Sequence, residues 1–438
     1  MIALSTSHFV SVGIALGRAG ADARSRRAAD VHGLRQAAHV ARLNSELQIS
    51  GCDSGIPWRV MEVAEIIDES ADCRSFYLID PYRQSLPDFR PGQYLMIRPA
   101  LAGAYQTTRC YSLSSSPDSR YWRITVKRQE RVGDRLAASE GGSSNDGIHS
   151  SVKPTANRQG GLSAWLHESI GVGDCLLVGG PNGQFALAAD NPRPLVLLAA
   201  GVGITPMASM LRWSMQHTPQ RLVRLLYQAK DLDHWPLGRT LHSWTAKFPA
   251  CRVVSYFSRA KQEDIRTLIS QTVSAGQTPS VLPTEYVLGK FDASHALQAL
   301  PHEDCDYFLC GPNAWMESVR NDLMAAGVAE QHIHWESFGS TEHPQPVVAA
   351  EPITKLAVRF EASGVDVQWS SPDQSLWELA RENQVEIASG CLSGVCGCCR
   401  VRLLAGEVAY DRELSIELAD DECLACVARP KTDCRIDV

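Results

Sequence analysis

Cys391, Cys396 and Cys399 are spaced C-x4-C-x2-C in the run CLSGVCGCCR, and Cys426 in ECLACVARP stands 27 residues further on. Thiolates are soft ligands, and one long loop with a distant fourth cysteine is a spacing that suits a 2Fe-2S cluster. A structural zinc site is the alternative for any cysteine quartet, but zinc usually takes paired CxxC knuckles. Gly390, Gly394 and Gly397 interleave the thiols, and a loop wrapped round a metal centre must turn sharply and aim N–H groups at sulfur. Cys398 and Cys423 depart from the pattern. Neighbouring residues of an extended loop point in different directions, so Cys399 keeps the spacing and Cys398 is left over.

A second set of residues could grip an organic cofactor. RCYSLSS, Arg109 to Ser115, follows PGQYL. On a strand, Arg109 could hold a phosphate, Tyr111 could lie against an aromatic ring and Ser112 could hydrogen-bond a ring nitrogen. Lys127 closes the next strand, ITVK, and Gly160, Gly161, Leu162 and Ser163 open a helix whose first N–H groups would favour a second phosphate. A third set is AAGVGITPMASM, in which Gly201 and Gly203 permit close backbone approach to a pyrophosphate and Thr205 and Pro206 begin a helix. It lacks the G-x-G-x-x-G spacing of the commoner dinucleotide fingerprint. Downstream, YFLCGP brings Cys310, Gly311 and Pro312 to a strand end, and HWESFGS carries His334, Glu336 and Phe338. Cys310 alone would read as a buried thiol, and His334 as a structural histidine.

Three kinds of element must position these groups. WRVMEVAEIIDES, CRSFYLIDP, PGQYLMIRP, TTRCYSLSSSP and YWRITVKRQE are short alternating segments bounded by turn residues, which predicts an antiparallel barrel. Gln129 to Gly160 is rich in Ser, Gly and Asn and reads as a long mobile loop with no assigned chemistry. From LVLLAAGVG onward, buried strands alternate with amphipathic helices, which predicts a parallel sheet with ligands at its carboxyl ends. STEHPQPVVAAEP reads as a linker, and the cysteine cluster follows a strand pair and the helix-like SLWELAREN. The divisions expected are an extension over 1–55, a flavin-binding barrel over 56–190, an NAD(P)-binding α/β domain over 191–339, a linker over 340–352 and a β-grasp-like α+β domain over 353–438.

Taken in order, these motifs resemble the ferredoxin-NAD(P) reductase superfamily fused to a C-terminal plant-type ferredoxin, over about residues 57–438. The resemblance implies nicotinamide held near Gly201 to Pro206 and Cys310, hydride transfer to flavin N5 near Ser112 with Glu336 and Phe338 approaching the ring, and one-electron passage to the cluster. It implies FAD, with FMN as the alternative of the oxygenase-reductase kind. NADH is expected because Asp231 and Asp233 flank Lys230, while Ser258 and Arg259 keep NADPH open. The expected acceptor is a redox protein, either a hybrid-cluster protein or an oxygenase component; a cluster-based redox sensor without sustained turnover is the reading from another class.

Composition limits the partners. With 42 Lys plus Arg against 49 Asp plus Glu among 438 residues, the chain has no electrostatic footprint for nucleic acid. No apolar run is long enough for a transmembrane helix. Fourteen cysteines in a chain of this size point to reduced thiols and a cytoplasmic setting. The Ala- and Arg-rich first 55 residues would suit an organelle matrix only if they were a presequence. From Ile353 to Val438 nine basic residues face fifteen acidic ones, a net charge of −6, which suits docking to a basic partner.

Overall fold

The computed structural model describes residues 57–98, 108–129, 161–188, 190–245, 248–274, 285–300, 305–338, 355–390, 392, 394, 397–410, 414, 416 and 418–438. The expected extension, the 130–159 loop, the 340–352 linker, Gly160, Cys391 and Cys396 lie outside these residues.

Strands β1 (Trp58–Ser70), β2 (Cys73–Ile79), β3 (Tyr94–Arg98), β4 (Arg109–Ser112), β5 (Trp122–Lys127) and β6 (Cys175–Asn182) form one antiparallel sheet in the order β4-β3-β6-β1-β2-β5. A bridge between Leu113 and Ile124 joins the two edges and closes the sheet into the expected barrel. Alternation fixes what faces inward: Leu95 and Ile97 of β3 join Met61, Phe76, Trp122 and Ile124 in the interior, beneath the helix Gly161–Ser169.

The second sheet is wholly parallel. β7 (Leu195–Ala200), β8 (Val223–Ala229), β9 (Cys251–Phe257), β10 (Tyr286–Leu288), β11 (Asp306–Cys310) and β12 (Ile333–Glu336) lie in the order β10-β9-β8-β7-β11-β12. All six residues of β7 are buried, as a central strand covered on both faces requires. After β10 the chain crosses to the other side of β7, so the strand order reverses between β7 and β11. Ligands of such sheets bind at that crevice.

The third unit contains β13 (Leu356–Phe360), β14 (Val365–Trp369), β15 (Arg400–Ala405), β16 (Val408–Ala409), β17 (Glu422–Leu424), β18 (Arg429–Pro430) and β19 (Cys434–Ile436). Five of them form a mixed sheet, β14-β13-β19-β15-β17, in which β13 and β19 run parallel. The helix Leu376–Glu382 is started by a capping box between Ser375 and Glu378 and buries Leu376, Leu379 and Ala380 on the core.

Candidate functional site

Three residues drawn from separate motifs meet where the barrel faces the parallel sheet. Ser112 ends β4 and is buried, and its hydroxyl donates to Glu336 Oε2 at 3.3 Å across 224 residues of chain. Glu336 ends β12 in register with Cys310 at the end of β11, which in turn pairs with Ala199 of β7. Glu336 keeps part of its surface open while its carboxyl is packed round with protein; that burial pushes its pKa up to about 8, against the lowering effect of the Ser112 hydrogen bond. Burial, then the Glu336 carboxylate, raise the Cys310 thiol well above its ordinary value. Near neutral pH the site therefore holds an uncharged acid, a hydroxyl and a neutral thiol.

The turn after β7 packs against this group. A Cβ on Gly203 would lie 2.1 Å from the Cys310 carbonyl oxygen, so glycine is required by close approach. Gly201 has φ +58°, in the left-handed region. Pro206 sits in the first turn of the helix Ile204–His217, where a missing N–H costs nothing, and Thr205 Oγ1 donates to the Val202 carbonyl. A cleft of about 1190 Å³ opens over Gly201, Gly203, Gly311, Pro312 and the half-exposed Phe338. Its far wall carries Gln228, Lys230, Ser258, Arg259 and Lys290 from the carboxyl ends of β8, β9 and β10; its barrel side carries Asp72, Cys73 and Lys127.

The remaining flavin-motif residues are placed on the barrel. Tyr111 is packed against the barrel core, and burial raises its hydroxyl. Arg109 Nη1 donates to the Thr108 carbonyl. Lys127 is exposed and ion-paired with Asp72 at 3.3 Å. Gly161, Leu162 and Ser163 form the first turn of their helix, with Ser163 Oγ accepting from the Gln129 N–H. His334 stacks on Phe308 with ring centroids 4.5 Å apart, the structural role expected of it.

In the third unit Cys399 and Cys426 are brought to an Sγ–Sγ distance of 3.0 Å, longer than a disulfide bond. Gly394 and Gly397, with φ +77° and +70°, turn the loop between them and the start of β15. Cys423 points into the core beside Cys399 and Leu424, and burial pushes its thiol up to about 12. Cys398 faces the other way and reaches Met96 of β3.

Comparison with known proteins finds three domain matches along the chain. Residues 60–187 match the oxidoreductase FAD-binding domain, 197–321 the oxidoreductase NAD-binding domain, and 359–431 the 2Fe-2S iron-sulfur cluster binding domain. The chain therefore carries FAD-binding, NAD-binding and 2Fe-2S domains. It is 31% identical to a flavohemoprotein of Oceanobacillus iheyensis over 286 residues, 65% of this chain and 60% of that protein. It thus spans about 60% of the length of such flavohemoproteins. It is 26% identical to the glycine betaine monooxygenase reductase subunit of Chromohalobacter salexigens over 85% of this chain and 93% of that one. An intact type IV self-sufficient cytochrome P450 monooxygenase shares its fold, with a TM-score of 0.55 and 21% identity over 87% of this chain and 41% of that one.

The residues present fit a dinucleotide and a cluster. Gly201 faces open space in a cleft with room for a dinucleotide, and the paired thiols of Cys399 and Cys426 supply soft donors for iron. Sequence reasoning singled out Lys230, Ser258 and Arg259 of the far wall but missed Gln228 and Lys290. Gln228 has no motif of its own, yet its amide hydrogen-bonds the carbonyls of Ala229, Tyr256 and Gly289 and ties three strand ends together. Asp231 and Asp233, the basis for expecting NADH, do not line the cleft among the described residues; Asp231 instead caps the short turn at Leu232–His234. Among the described residues no helix is long and apolar enough to cross a membrane.

Proposed function

We propose that this protein is an oxidoreductase that takes electrons from a reduced nicotinamide dinucleotide and delivers them singly to an external redox protein. Bound flavin supplies two-electron uptake with one-electron release, and the 2Fe-2S cluster supplies one-electron carriage. The observation that carries the reading is the convergence of Ser112, Cys310 and Glu336 beside the Gly201–Gly203 turn, which lines the cleft.

In this reading Ser112 faces the flavin ring with its hydroxyl oriented by Glu336. Gly201, Gly203, Gly311 and Pro312 let the dinucleotide backbone lie against the strand ends, and Cys310 offers a small neutral wall for the nicotinamide. Arg109, Tyr111, Lys127, Gly160 and the helix N-terminus at Gly161, Leu162 and Ser163 hold the flavin and its phosphates. Cys391, Cys396, Cys399 and Cys426 ligate the iron. The divisions at 56–190, 191–339 and 353–438 belong to the same proposal, supported by each sheet lying within one of these spans.

The cleft wall favours NADPH over the NADH expected from sequence. Lys230, Ser258, Arg259 and Lys290 are cationic or hydroxyl groups gathered where a ribose phosphate would lie. For the flavin, the match to an FAD-binding domain supports FAD over FMN. Likeness to a monooxygenase reductase subunit over most of both chains supports an oxygenase component as the acceptor, ahead of a hybrid-cluster protein. The cluster thiolates support a reducing, cytoplasmic setting. A sensor reading is weakened by Cys423, whose buried, high-pKa thiol is poorly reactive.

Anaerobic stopped-flow mixing with NADPH and with NADH tests the function. Flavin bleaching should precede loss of the cluster band, and both should recur on repeated turnover with an acceptor. Cluster reduction without prior flavin bleaching would overturn the reading.

A further inference from the structure

We propose that Cys398 is the positioning residue that seats the cluster loop on the flavin-binding barrel. The inference rests on the electron-transfer reading given above and deepens it.

It begins with an anomaly on β3. Leu95 and Ile97 belong to the barrel interior, so alternation turns Tyr94, Met96 and Arg98 to the outer face. Outer-face residues of a small barrel ordinarily meet water, yet these three are 3%, 0% and 7% exposed. Cys110 of the adjacent β4 and Trp58 of β1, reaching across β6, cover part of the patch, and the Arg98 guanidinium lies 4.7 Å over the Trp58 ring. Gly179 of β6 provides the recess, since a Cβ there would come within 2.9 Å of Met96 Cε and 3.1 Å of the Trp58 ring. Met96 and Trp58 occupy that recess, and Cys398 of the ferredoxin unit packs on Met96, its Sγ 3.5 Å from Met96 Sδ, and is itself 8% exposed.

The contact joins the two redox regions by a short route. Cys398 precedes Cys399, whose sulfur lies 3.0 Å from that of Cys426. Met96 is the register partner of Cys110 in β4, next to Tyr111 and Ser112. One peptide bond, one sulfur–sulfur contact and one ladder pair therefore separate a proposed iron ligand from the strand proposed to hold the flavin. Two polarizable sulfurs pack closely without demanding a fixed direction, which suits a seat that must hold a loop in register. Interfaces within a chain otherwise permit relative domain motion, and misplacing a reacting pair by about 1 Å can cost up to ~10²-fold in rate.

The test uses the full chain loaded with flavin and cluster, without oxygen. Brief maleimide labelling followed by peptide mapping should find Cys398 protected in the wild type and labelled at least about tenfold faster in Met96→Asp, where a charge cannot stay buried. In stopped-flow, Met96→Asp and Cys398→Asp should keep flavin bleaching by NADPH within about twofold and slow the following cluster reduction about tenfold or more, while Met96→Leu preserves both phases. Equal labelling of Cys398 in wild type and Met96→Asp would overturn the seat, as would unslowed cluster reduction in both Asp variants. Absence of flavin bleaching in the wild type would sink the electron-transfer reading instead, and the labelling contrast would still decide the docking.

Discussion

Glu336 is the residue whose protonation the site controls most closely. An unfolded carboxyl ionises near pH 4.3, whereas the folded protein holds this proton until about pH 8. Between those values the unfolded chain releases a proton that the folded chain keeps, so stability falls as pH rises through this window and the penalty is complete above about 8. The same ionisation would place a negative charge beside Ser112, the residue proposed to face the flavin ring. Flavin reduction by NADPH should therefore slow as pH rises through about 8, and Glu336→Gln, a permanent stand-in for the protonated acid, should flatten that profile while staying within about threefold of wild type at pH 7. An unchanged profile in the glutamine variant would remove Glu336 from the role. The cysteine register makes a second prediction at this scale. Cys398→Ser should keep the cluster's visible absorption and Cys399→Ser should lose it; the reverse result would mean that the loop is displaced by one residue.

At the scale of elements, the β7 turn and the strand ends opposite it carry the next expectations. Gly203→Ala would drive a methyl into the Cys310 carbonyl, 2.1 Å away, and should lower stability by about 1–3 kcal/mol and weaken nicotinamide binding together. Gly201→Ala meets open space and only a strained φ, so it should cost about 1 kcal/mol, readable in urea midpoints. Arg259→Gln should lower kcat/KM for NADPH about tenfold and leave that for NADH within about twofold, since only the former has a ribose 2'-phosphate to pair. The glycine turn, the R-x-Y-S strand and the cysteine loop were legible in sequence because each is a local pattern. The cleft's far wall was legible only in part: Lys230, Ser258 and Arg259 stand out after their strands in the sequence, whereas Lys290 joins them only because β10 lies beside β9. Asp231 accepts from the His234 N–H and lies 4.0 Å from the Lys230 ammonium, so it stands next to the far wall without lining the cleft. Cys398 looked like a bystander for want of any signal that β3 would lie beneath it.

At the scale of the molecule, the charge is unevenly shared: residues 353–438 carry a net −6 of the chain's −7. Exposed Glu386 lies just before the cysteine loop, and exposed Asp420 and Asp421 lie just before the strand that leads to Cys426, so acidic side chains flank the cluster segments on both sides in the chain. Complementary charge mainly accelerates encounter, and salt screens it over about 8 Å at physiological ionic strength. Reduction of a cationic cytochrome c by the full protein should therefore slow about tenfold between low salt and ~0.5 M. Transfer from flavin to cluster is internal and should hold its rate over the same range, and ferricyanide, an anion, should not share the loss. If all three respond alike to salt, the acidic surface is only a solvated face. If only the cationic acceptor slows, Glu386→Lys and Asp421→Lys should reproduce part of the loss at low salt without changing the internal step, which locates encounter on the ferredoxin side of the molecule and away from the nicotinamide cleft.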